Sequence, residues 1–94
     1  MGIYWCAMDE ERKEQFEPPK DFSNKTPGIF HPHSPFPNMV MMMNSFGCRF
    51  ELVNDCDEDR YYDVSYKDIT EEVYKKYLDY FPWAKWEIYE LEYT

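Results

Sequence analysis

The 94-residue chain is predicted to be a small α+β domain. The expected architecture is a small antiparallel sheet of about four to five strands packed against one main C-terminal helix over 68–81, with a long Pro-rich ordered loop. Three observations predict it. Short β-prone runs recur at 3–8, 39–54, 61–66 and 85–93. One segment, 68–81, has a strong helical period. Six of the seven prolines fall within 18–37, where each removes a backbone donor and biases its predecessor toward extended geometry.

Residues 3–8 (Ile-Tyr-Trp-Cys-Ala-Met) read as a strand. The acidic run 9–17 follows and ends at Pro18-Pro19. Asp9 is placed to cap a short helix there, although Phe16 is nearly its sole apolar anchor. The 18–37 stretch is expected to be irregular and folded over the core through Phe22, Ile29, Phe30 and Phe36.

The apolar run 39–46 is too short for an independent helix. Together with the alternating 48–54 it predicts a hairpin turning near Asn44–Gly47, with Phe50 and Leu52 inward. A charged turn over 54–60 leads to a third strand, 61–66, with Tyr62, Val64 and Tyr66 on one face. In the helix, Asp68 and Glu71 have capping-box spacing, and Ile69, Val73 and Tyr77 share a face at spacing four. Pro82 ends it. The last strand, 85–93, is apolar on both faces, and its edge offers a route to a homodimer or to β-augmentation by a partner.

The length predicts a single domain over 1–94. Leucine occurs only at Leu52, Leu78 and Leu91, so aromatic and Met side chains must build the core. Met1–Cys6 lacks the basic n-region of a signal peptide, and Cys6, Cys48 and Cys56 form no close pair. Both features predict a cytoplasmic protein with free thiols, and no apolar stretch reaches the length of a membrane span.

Charge narrows the partner class. The formal net charge is −9. Residues 48–94 hold thirteen Asp/Glu against six Lys/Arg, and twelve of the nineteen aromatic residues. Nucleic acid and anionic lipid are repelled by such a chain, whereas basic protein surfaces are attracted. Asp55, Asp57, Glu58, Asp59 and Asp63 are the candidate charged contacts, and Trp83, Trp86 and Tyr89 the candidate anchors. Were these acids to share a face with Glu71, Glu72 and Asp79, and with Glu87, Glu90 and Glu92 of the last strand, they would mimic a phosphate backbone. Acidity for solubility alone is the competing explanation.

Other constellations are weaker. His31 and His33 could join a cysteine at a metal, but their spacing fits no zinc signature. Asp55, Asp57 and Asp59 alternate like the first ligands of a calcium loop, yet Arg60 and Tyr66 occupy the positions that need Gly and Glu. Met39, Met41, Met42 and Met43 suit a core better than a soft binding surface. No nucleophile is tied to a base by spacing, so neither catalysis nor a cofactor is expected.

In size, charge and aromatic content the chain resembles the small acidic proteins by which phages and mobile elements disable host enzymes. That resemblance implies a non-enzymatic inhibitor or sequestering protein, possible mimic of nucleic acid, acting in the host cytoplasm on a basic partner such as a nuclease or polymerase. A small-molecule or metal sponge or sensor built on the Pro/His loop is one alternative, and an immunity or accessory subunit of a larger complex is another.

Overall fold

The structure, a computed structural model, describes residues 3–19, 22–26, 28–31 and 34–82. A four-stranded, mostly antiparallel sheet and several helices, including a longer C-terminal one, make a small α+β domain. The strands are β1 (Trp5–Asp9), β2 (Glu14–Phe16), β3 (Glu51–Asn54) and β4 (Lys67–Asp68). Their order is β3-β1-β2-β4, with β1 antiparallel to both neighbours and β4 parallel to β2. The helices are α1 (Phe36–Ser45), α2 (Glu58–Tyr61) and α3 (Thr70–Tyr80), preceded by a 3-10 turn at Gly28–Phe30.

As the central strand, β1 is apolar on both sides, and alternation sends its residues into two clusters. Ala7 joins Phe16, Phe50 and the inner faces of α1 and α3. Phe16 is the hub of that side, with edge-on ring contacts to Phe36 at 5.6 Å and Phe50 at 4.8 Å. On the other side Cys6 and Met8 meet Val53, Tyr66 and the partly buried Tyr61. The core is aromatic and Met-rich, as the shortage of leucine requires.

Several expected elements are replaced. Residues 9–17 form a hairpin rather than a short helix. Asp9 Oδ1 accepts the N–H groups of Glu11 and Arg12 at 3.0 and 3.1 Å, bonds like those of a helix cap but here closing a turn. Lys13 takes a left-handed φ of 54°, which reverses the chain. Phe16 then reaches the core from a strand, where one apolar anchor suffices.

The expected strand at 39–46 is helix α1. Pro35 and Pro37 stand at its start, where a missing N–H costs nothing and a fixed φ assists. Phe36, Met39 and Met42 repeat at helical spacing and are buried. Unbranched Met favours helix over strand. Gly47, at φ 93°, follows the helix, and the 44–47 hairpin is not made. Instead β3 returns to pair with β1, Val53 opposite Cys6 and Leu52 opposite Ala7. Phe50 is buried as expected, but Leu52, expected inward, is 43% exposed on the sheet edge.

The expected strand at 61–66 is also absent. Glu58–Tyr61 is a helical turn, and Asp63 folds the chain again by accepting the Ser65 N–H at 2.9 Å. Tyr66 is buried, but Tyr62 and Val64, expected beside it, are 63% and 98% exposed.

Helix α3 matches its expected face, with Ile69, Val73 and Tyr77 buried. It starts at Thr70 rather than Asp68, because Lys67–Asp68 are drawn into β4 and the Ile69 N–H bonds to Gln15 O at 2.8 Å. Asp68 still serves the helix start. Its Oδ1 accepts from the Thr70 N–H at 2.9 Å and the Thr70 hydroxyl at 2.6 Å.

Within the Pro-rich stretch, Tyr4 and Lys25 form an isolated antiparallel bridge. Beside it the Trp5 N–H bonds to Asn24 O, and Trp5 Nε1 donates to Thr26 Oγ1 at 2.7 Å. Ile29 is buried, whereas Phe30 is exposed. Phe36 and Pro37 already belong to α1, so the stretch is shorter than 18–37. The expected last strand, 85–93, lies outside the described residues.

Candidate functional site

The acidic run 55–63 is held between β3 and β4 by its own backbone. Asp55 extends the β1–β3 ladder, its N–H donating to Tyr4 O at 3.0 Å and its Oδ1 accepting the Tyr4 N–H at 3.3 Å. Asn54 then turns the chain, accepting the Cys56 N–H on its side chain and the Asp57 N–H on its carbonyl. Asp57 precedes α2, and Glu58 and Asp59 occupy its first turn, where carboxylates are favoured by the unpaired backbone N–H groups. All three are exposed. Asp63 follows the helix. The Ser65 hydroxyl and then the Ser65 N–H hold its carboxyl below the usual carboxylate range.

The single cation in this run is already engaged. Arg60 Nη2 bonds to Glu51 Oε2 of β3 at 3.0 Å, an ion pair across the base of the turn. Among the described residues the other ion pairs are Arg12–Asp9 and Arg49–Glu11, so none involves Asp55, Asp57, Glu58, Asp59 or Asp63. Next to these acids Tyr62 packs edge-on against Tyr61 at 4.9 Å and leaves most of its ring in solvent. Val64, two residues on, is almost fully exposed. Tyr61 itself is structural. Burial, and then the charge of Glu17, pushes its hydroxyl up to about 12.

The five acids of the turn lie on one segment beside β3, and the helix acids lie on α3. Helix α2 stands by β3 at one edge of the sheet, and its Tyr61 packs on the Cys6–Met8 face. Helix α3 leaves from β4 at the other edge and packs on the Ala7–Phe16 face. Glu71, Glu72 and Asp79 therefore belong to a helix on the opposite face of the sheet from Tyr61 of α2. Glu87, Glu90 and Glu92, together with Trp83, Trp86 and Tyr89, lie outside the described residues. Tyr62 and Val64 escaped the sequence reading because their alternation with Tyr66 imitates a strand. The Asp63-Val64-Ser65 triplet was the available signal, since Asp readily accepts the N–H two residues on.

The other candidates form no site among the described residues. His31 is exposed, and His33 lies outside the described residues. Among the described residues no group of three His, Cys, Asp or Glu side chains could hold a metal ion. Cys6, Cys48 and Cys56 are free thiols. Burial, and then the charge of Glu17, pushes the Cys6 thiol up to about 12, which makes it a poor nucleophile. Met39 and Met42 are core residues, while Met41 is exposed. A cleft of about 480 Å³ opens beside the end of β2 and the start of α3, lined by Glu17, Pro18, Pro19, Asp68, Thr70, Glu71 and Tyr74. Burial, and then the nearby Asp68, raises the pKa of Glu17.

Among the described residues no helix is long and apolar enough to cross a membrane. Compared with known proteins, the chain matches no family model, no curated protein and no solved structure.

Proposed function

We propose that this is a non-enzymatic binding protein whose acidic turn, residues 55–63, docks on a basic surface of a protein partner and blocks it. One observation carries the reading. Five carboxylates stand within nine residues, none of them in an ion pair among the described residues, and the one cation within that run, Arg60, is tied back to Glu51. Their charge is left for a partner. Such charge steers encounter and raises the association rate. The turn is held by backbone hydrogen bonds, so little ordering would be lost on binding. Tyr62 and Val64 would supply apolar contact, and we assign Trp83, Trp86 and Tyr89 the role of further anchors.

The compact shape of the turn favours a local basic patch over mimicry of an extended phosphate backbone. The partner class we propose is a nucleic-acid-handling enzyme, a nuclease or polymerase, disabled in the manner of small phage or mobile-element proteins in the host cytoplasm. We also propose that the Pro-rich residues ahead of α1 form an ordered cover at the N-terminal end of β1, a reading supported by the Trp5–Asn24 and Trp5–Thr26 bonds and the buried Ile29.

The test is association with a panel of basic nucleases and polymerases, measured at about 50 and 200 mM salt. The expected result is inhibition of one of them, with an association rate that falls as salt rises. The Asp57→Asn/Glu58→Gln/Asp59→Asn variant should lose about tenfold in that rate and most of its salt dependence. A partner bound with salt-insensitive kinetics, or equally well by the variant, would sink the proposal.

A further inference from the structure

We draw no further inference here: the strongest candidate, the cleft between the end of β2 and the first turn of α3 lined by Glu17, Asp68 and Glu71, is a carboxylate cluster in which Asp68 already serves the helix start, and no second feature among the described residues points to a ligand in it.

Discussion

Asp9 shows how a single carboxylate can organise a small domain. It is buried at the end of the central strand, where Oδ1 accepts the Glu11 and Arg12 N–H groups and Oδ2 accepts the Arg49 N–H at 3.1 Å. One side chain thus joins the first hairpin to the segment leading into β3. Burial opposes its ionisation, but the three N–H donors and the Arg12 guanidinium outweigh burial, and its pKa is lowered. A depressed folded-state pKa contributes stability that is present above the unfolded value of about 3.9 and is lost as pH falls through the folded value. Asp9→Asn should therefore cost about 1–3 kcal/mol at pH 7, because an amide nitrogen would face N–H donors. Urea unfolding of the two proteins should show that gap narrowing as pH falls below about 4. A gap independent of pH would mean that shape rather than charge holds the turn. Gly47 is the second residue whose identity is dictated locally. Its φ of 93° is one that L side chains rarely adopt, although the space around its Cα is open. Gly47→Ala should lower stability by about 1–2 kcal/mol through backbone strain alone.

The junction of β2 with β4 and α3 contains opposing terms. It is fastened by the Lys67 N–H to Lys13 O, the Ile69 N–H to Gln15 O and the Glu17 N–H to Thr70 Oγ1. It also carries the half-buried carboxylate of Glu17 near Asp68, and Glu17 has a raised pKa. A raised carboxylate pKa means that ionisation disfavours the fold. The cost is absent below the unfolded value and complete once pH has passed the folded one. Glu17→Gln should raise the urea midpoint at pH 7 and leave it unchanged near pH 3. An equal shift at both pH values would point to packing instead. The turn containing α2 offers an independent check on the assignment of 61–66. Tyr62→Ala and Val64→Ala should each change stability by no more than about 0.5 kcal/mol, whereas Tyr66→Ala should cost several times that. A strand with Tyr62, Val64 and Tyr66 all inward would make the three comparable. The periodic α3 was legible because four-residue spacing over two turns has one interpretation. The shorter elements were not. Asp9 makes the same local bonds in a hairpin turn as at a helix start, and a Met run between prolines fits either a strand or a helix until its neighbours are known.

At the scale of the molecule, the acidic turn stands apart from the core, although Asp9 is a buried carboxylate at the end of β1. The apolar side chains form clusters on both faces of the sheet, while the carboxylates of the 55–63 turn enter no ion pair among the described residues. Neutralising Asp57, Glu58 and Asp59 should therefore leave the fold intact. The stability change should stay within about 0.5 kcal/mol at low ionic strength, because relief of self-repulsion at a net charge of −9 opposes the lost attraction of Glu58 and Asp59 to the start of α2, and it should shrink toward about 1 M salt. Thermal unfolding against salt would check this, and a larger loss of stability would show the acids to be structural rather than free for a partner. The acidic turn was legible as a candidate because five acids in nine residues need no fold to be noticed. The placing of Glu71, Glu72 and Asp79 on a helix of the opposite face was not, since edge and face are properties of strand order. By itself the sequence determined the α+β class, the aromatic and Met composition of the core, the buried face of α3 and the sign of the surface charge, all of which follow from composition and local periodicity. Tertiary structure alone decided that 9–17 is a hairpin, that 36–45 is a helix, that β3 pairs with β1, and that Tyr62 and Val64 face solvent. Those choices turn on which distant residues supply hydrogen bonds and apolar contacts, and short segments of weak intrinsic preference take the conformation that such contacts stabilise.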